Sequence, residues 1–177
     1  MPDGPPRIYL DTGCFQPLLF PGDHSIDDFK VSGKIRDQLR GDVSKDRISV
    51  VIPEVALGEA VSNYIEAYTD SISTEPIERP TEMIENLMSF QSQLKIEFKG
   101  MTNRGVEYAY ELHCNDTQLG YNDAYIAACA IDDIYSTRII SKDPDLVDCE
   151  IISKCARELR TDRHFDLSVS YDYRYQG

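Results

Sequence analysis

RIYLDTGCF, residues 7–15, carries the reading that decides the fold. Its apolar run Ile8-Tyr9-Leu10 has the make-up of a short buried strand, and it stops abruptly at Asp11 before the small residues Thr12 and Gly13. A buried strand can end in almost any polar residue, so Asp11 by itself is a solvated strand end. Its meaning depends on what the rest of the chain brings beside it.

Outward from this strand, Ser25-Ile-Asp-Asp28 resembles a capping box with Asp in place of Glu. Ile26, Phe29, Ile35 and Leu39 then predict a helix running to Gly41. Ile48-Ser-Val-Val-Ile52 is short, apolar and β-branched, the pattern of a strand covered on both faces, and Pro53 suits the start of a helix. Val55, Leu57, Val61, Tyr64, Ile65 and Tyr68 give that helix one broad apolar face. SISTEPIERP, residues 71–80, has the punctuation of a loop, and Ile84, Leu87, Met88, Leu94 and Phe98 predict a long amphipathic helix ending near Gly100.

Thr102 to Cys114 is helical by spacing, with His113 on its packing face, and the alanines of NDAYIAACAID predict a helix that approaches a sheet closely. Arg138 to Ser141 reads as a strand, SKDPDLVD as the turn after it, and Glu150 to Ser153 as a further short strand. The alternating tyrosines of YDYRYQG, residues 171–177, read as an edge strand or a tail. This order predicts an α/β fold, a three-layer α/β/α sandwich around a central parallel sheet of four to five strands. We read residues 1–177 as one domain, with an inserted helical segment at about 80–100 and a C-terminal extension at about 155–177.

With 177 residues and 41% hydrophobic content, the chain can bury one proper core. No apolar run approaches the roughly 18 residues of a membrane span, and MPDGPPRIYL lacks the basic flank and apolar stretch of a secretory signal. A soluble, cytoplasmic protein is the expectation. Its five cysteines are odd in number and scattered, without a C-x-x-C pair, which argues for reduced thiols rather than disulfides or zinc. The net charge of −13 opposes binding to a polyanion unless cations are clustered or mediate. Its 19 Asp against 7 Lys suits a high-salt, halophilic cytoplasm, where a Debye length of about 3 Å at molar salt removes most long-range repulsion.

In an open parallel sheet, ligands bind beyond the carboxyl ends of the strands. Asp11 ends the first strand, Asp143 and Asp145 follow the strand at 138–141, Glu59 lies two turns into the helix entered at Pro53, and Asp123 begins the alanine-rich helix. Each alone is a cap, a turn residue or a solvated position, and an acidic chain makes coincidence cheap. Together they fall at one predicted edge with few bases nearby, and all-oxygen donors of this kind suit Mg²⁺ or Mn²⁺ rather than zinc.

YLDTG at the first strand, IPEVALGEA entering a helix, YNDAYIAACA and IISKDPDL, in that order, resemble the PIN domain, the nuclease fold of VapC-like toxins and many archaeal proteins. The resemblance runs through about the first 150 residues. It implies that Asp11, Glu59, Asp123 and Asp143 form an acidic quartet that is both metal-binding and catalytic, with Asp145 as a further acid of the last loop. Ser141 takes the place of the small hydroxyl residue two positions before the last acid, where it would orient a ligand carboxylate or the scissile phosphate. Thr12, with Gly13, is a small residue beside the first that would let the substrate backbone come close; Ser141 and Thr12 are the expected substrate-positioning residues. The helix at 81–99 and the chain beyond Asp145 depart from compact toxins of the family.

The implied activity is Mg²⁺- or Mn²⁺-dependent hydrolysis of RNA, carried out by a ribonuclease that is a candidate toxin of a toxin–antitoxin pair. Its expected partners are RNA, an antitoxin-like protein and a second copy of the chain, with no membrane. Candidate RNA-binding cations are Arg104, Arg138 and Lys142 near the acids, and Lys154, Arg157, Arg160 and Arg163 at three-residue spacing. Taken alone, that last stripe is better accounted for by a solvated helix face. The rival reading is a catalytically silent PIN-like interaction module. Phosphatases with an Asp-x-Asp motif fit poorly, because the second acid would fall at Gly13.

Overall fold

A computed structural model describes residues 4–20, 24–70, 79–159 and 166–173. Its centre is a five-stranded, all-parallel sheet in the order β3-β2-β1-β4-β5, built from β1 (Arg7–Leu10), β2 (Ser49–Pro53), β3 (Glu97–Lys99), β4 (Ser136–Ile140) and β5 (Ser168–Ser170). The fold is the α/β sandwich expected. β1 is central because its side chains are apolar on both faces: Ile8, Tyr9 and Leu10 are all buried. The strand order turns at β1, which pairs with β2 on one side and β4 on the other. The crevice at the carboxyl end of such a pair is where this architecture places ligands.

On one face, α1 (Thr12–Leu19), α2 (Ile26–Val43) and α4 (Arg79–Leu94) pack together. On the other, α6 (Tyr121–Asp132) packs against α3 (Glu54–Asp70), α5 (Asn103–Asn115) and α8 (Glu150–Leu159), and α7 (Pro144–Val147) is a single turn after β4. Ser25 caps α2 as its sequence suggests, accepting the Asp28 N–H. Ala127, Ala128 and Ala130 are fully buried, so α6 lies close on the sheet. Among the described residues no helix is long and apolar enough to cross a membrane.

Four elements differ from the sequence reading. α1 follows β1 directly, although Pro17 sits inside it and removes the N–H that would bond to the Gly13 carbonyl. The buried Ser32 hydroxyl, from α2, donates to that carbonyl at 3.5 Å instead. The helix expected to run to Gly100 ends at Leu94, because Lys95 takes a left-handed conformation (φ 49°) and the Ile96 N–H closes back on the Gln91 carbonyl at 3.1 Å. Glu97–Lys99 is then free to form β3.

Residues 150–153, expected as a strand, belong to α8: Ile152, Cys155 and Ala156 are buried at helical spacing, a pattern that the four-residue window hides. The fifth strand comes from Ser168–Ser170, within the segment expected as an extension. Of the tyrosine-rich end, Tyr173 is buried, donating its hydroxyl to Asp42 at 3.0 Å. Positions 174–177 lie outside the described residues, as do 71–78 of the expected loop.

Candidate functional site

The acids gather where β1 and β4 end. Asp11 is the N-cap of α1, and its buried carboxylate receives two short hydrogen bonds: Thr12 N–H to Oδ1 at 2.6 Å and Ser141 Oγ to Oδ2 at 2.7 Å. Ser141, fully buried just past β4, also accepts the Asp143 N–H at 2.9 Å. One hydroxyl thus ties the first acid to the last-strand loop. Asp143 in turn caps α7, accepting the Asp145 N–H at 2.8 Å, and leaves Asp145 exposed.

Glu59 comes in from α3. Thr12 Oγ1 donates to Glu59 Oε2 at 2.7 Å, so the small residue after Asp11 holds a second acid rather than standing open to a ligand. An added methyl at Gly13 would meet only ordinary contacts, Asp11 Oδ2 at 3.7 Å and Lys142 Cβ at 3.8 Å, so packing does not demand glycine there. Packing is tighter at Gly120, where a Cβ would stand 2.7 Å from Asp123 Oδ2. The bare Cα of Gly120 lets the Asp123 carboxylate fold over the start of α6.

Electrostatics bind these acids into one group. Burial, then the negative charges of Asp11, Asp143, Glu59 and Asp145, push the Asp123 carboxyl up to about 7. Burial also raises Asp11, with smaller contributions from Glu59 and Asp143, while the Ser141 and Thr12 hydrogen bonds pull it back. A carboxyl raised in the folded state supports the fold fully below the ordinary carboxylate range and loses that support as pH rises through about 7. Asp123→Asn is therefore expected to raise the melting temperature in EDTA at pH 8, by a margin that shrinks to nothing near pH 4. Scanning calorimetry at both pH values checks this, and an equal shift at both would contradict the shared field.

Among the described residues, no three Asp, Glu, His or Cys side chains stand close enough together to hold a metal ion. The donor set nonetheless fits a hard divalent cation in its chemistry: four carboxylates that repel one another, oriented by hydroxyl and amide donors, with no sulfur or imidazole among them.

Two of the expected cations, Arg104 and Arg138, lie away from this edge. Arg104 pairs with Asp132, at the opposite end of α6 from Asp123, and its guanidinium lies 5.8 Å from the centre of the Tyr108 ring. Arg138 sits within β4 with its guanidinium 5.8 Å from the centre of the Tyr173 ring, short of the carboxyl edge. Lys142 is at that edge, but its ammonium bonds Asp28 at 2.8 Å, and this holds the Asp28 carboxyl down at about 2. Lys154 and Arg157 are exposed on α8, where they line a cleft against β5, while Arg160 and Arg163 lie outside the described residues. The bond from Thr12 to Glu59 and the Lys142–Asp28 pair had no signal in local sequence, since each depends on tertiary placement.

No family model matches the sequence, and no curated protein sequence matches it. Among solved structures, the chain is similar to a chain in the crystal structure of VapBC2 from Rickettsia felis bound to a DNA fragment from their promoter. The identity is 16% and the TM-score 0.54, with 93% of this chain and 97% of that chain covered. At that identity the likeness is one of fold, and the PIN-like α/β fold expected from the sequence is the fold this chain has.

Proposed function

We propose that the protein is a metal-dependent ribonuclease that hydrolyses RNA phosphodiester bonds at the edge where β1 and β4 end. The observation that carries this reading is the tying of acids from separate segments at one strand edge: the Ser141 hydroxyl joins Asp11 to the loop of Asp143, and the Thr12 hydroxyl holds Glu59 beside Asp11. Asp11, Glu59, Asp123 and Asp143 would hold Mg²⁺ or Mn²⁺, directly or through water, with Asp145 behind them. Held there, such a cation would supply an activated water and screening of the charge on the scissile phosphate.

The chain's own part is orientation. Ser141 and the Thr12 N–H fix both oxygens of Asp11, the Thr12 hydroxyl fixes Glu59, and the Ser141 oxygen sets the turn that presents Asp143. Ser141 and Thr12 are positioning residues on this reading, acting through the acids they hold. The likeness to a chain of VapBC2 supports a toxin role with an antitoxin-like protein as partner.

A silent interaction module is the second reading, favoured by the spacing of the acids, no three of which stand at ligating separation among the described residues. Metal titration separates the two. Wild-type protein is expected to gain thermal stability in millimolar Mn²⁺, by about 2.7 kcal/mol at a hundredfold excess over Kd. Asp123→Asn should lose most of that gain. A wild-type melting temperature unmoved by both Mn²⁺ and Mg²⁺ would leave the silent module standing.

A further inference from the structure

Two neighbouring helices beside the acids form an aromatic groove that no described residue covers. Val106, Ala109, Tyr110 and His113 of α5 face Tyr121 and Tyr125 of α6 across a space of about 170 Å³. Tyr110 is 70% exposed and Tyr121 68%, an unusual presentation of two large rings to water. The His113 and Tyr121 ring centres are 4.3 Å apart at a tilt of 35°, so one wall is a pair of rings in contact. His113 Nδ1 donates to the Leu119 carbonyl at 3.1 Å, which fixes that ring and leaves Nε2 for another partner.

We infer that this groove is a nucleobase subsite, in which one base of a single-stranded RNA stacks against Tyr121 and Tyr110 and so sets the register of the strand at Asp123. The inference rests on the ribonuclease reading and deepens it. Three features select a base as occupant. The volume lies below the 300 Å³ or more of drug-sized pockets and is too small to seat a partner helix, but it takes one flat ring system. The lining sets four rings, Tyr110, His113, Tyr121 and Tyr125, over the small apolar floor of Val106, Ala109 and Ala124, and such rings are the surface on which unpaired bases stack whatever their sequence. Tyr121 and Asp123 share the first turn of α6, which puts the groove within a nucleotide or two of the acids.

Charge points the same way. At the acidic edge Lys142 is committed to Asp28, while Arg104 is committed to Asp132 at the far end of α6. In a chain of net charge −13, contacts that do not neutralise phosphate would then add to the affinity for RNA at this edge. Stacking is such a contact.

The test is steady-state cleavage of a short single-stranded RNA in Mn²⁺ by wild type, Tyr121→Ala and Tyr121→Phe, repeated on a substrate series with one base removed at each position in turn. Because Tyr121 is mostly exposed, the alanine variant keeps its fold, which circular dichroism verifies. Tyr121→Ala should raise KM about tenfold with kcat nearly unchanged, and Tyr121→Phe should behave as wild type. Removing one particular base should raise the wild-type KM by the same factor and add nothing in Tyr121→Ala.

An active wild type with Tyr121→Ala unaltered overturns the subsite and leaves the nuclease reading intact. An inactive wild type overturns that reading, and the subsite with it. A KM effect of Tyr121→Ala that no missing base reproduces overturns the stacking role. So does a halved mass of that variant in light scattering, which would make the groove a contact between two copies.

Discussion

Asp123→Asn is expected to lower Mn²⁺-dependent cleavage of single-stranded RNA by about 10²- to 10³-fold or more, the scale on which removing one preorganised charge-stabilising group acts. Asp11→Asn should do the same, but the two variants carry different information. Asp11 receives donors on both oxygens, the Thr12 N–H and the Ser141 hydroxyl. An amide there must turn its NH₂ toward one of those donors, so Asp11→Asn disturbs orientation as well as charge. At Asp123 the carboxylate is raised by burial and by its acidic neighbours, so the amide removes a repelling charge and leaves the scaffold alone. Full activity in both variants, each shown folded by circular dichroism, would remove the acids from the chemistry.

The parts of this site that sequence could convey are those carried by single segments. Ile8 to Leu10, Val50 to Ile52 and Ile139 to Ile140 are buried on both faces, so their strands show as unbroken apolar runs, and Asp11, Asp143 and Asp123 are visible as the polar residues that follow such a run or open a helix. What binds the acids to one another was not visible. Ser141 meets Asp11 across 130 positions and Thr12 meets Glu59 across 47, and no local pattern encodes such pairs.

Direction was hidden as well. Arg104, Arg138 and Lys142 have the composition of a phosphate-binding set, yet each side chain is drawn to a partner already in the fold. The elements misread fail for local reasons. TGCFQPLL, residues 12–19, is apolar almost throughout and contains Pro17, so it shows neither helical periodicity nor a permissible helix interior until Ser32 serves the Gly13 carbonyl. The break between α4 and β3 falls on Lys95, a residue that gives no warning of a left-handed turn.

The largest effect on stability is expected far from the acids, at Asp133. This side chain is 3% exposed, just before β4, and its Oδ2 accepts from Arg7 at 2.9 Å, Lys99 at 2.9 Å and Tyr9 at 2.8 Å. Its Oδ1 takes the Tyr135 N–H at 3.0 Å. Burial pushes the carboxyl up, but the hydrogen bonds from Lys99, Arg7 and Tyr9 outweigh burial and hold it below the ordinary carboxylate range. One carboxylate thereby ties β1, β3 and the turn from α6 to β4.

Asp133→Ala strands the partly buried Lys99 ammonium and the buried Tyr9 phenol and leaves Arg7 only its pair with Glu97, and should cost about 3–5 kcal/mol, the range for breaking a buried ion pair from one side. Because the folded pKa is depressed, this support is present above the ordinary carboxylate range and lost as pH falls through the folded value. The gap between wild type and variant should therefore be full at pH 7 and close in acid, as urea titrations at several pH values will measure. Asp132 and Asp133 sit at the C-terminal end of α6, and Asp123 in its first turn. A variant that unfolds early yet keeps wild-type kcat well below its transition would separate what holds this sheet together from what works at its carboxyl edge, whereas a proportional loss of kcat would mean that α6 carries strain between the two.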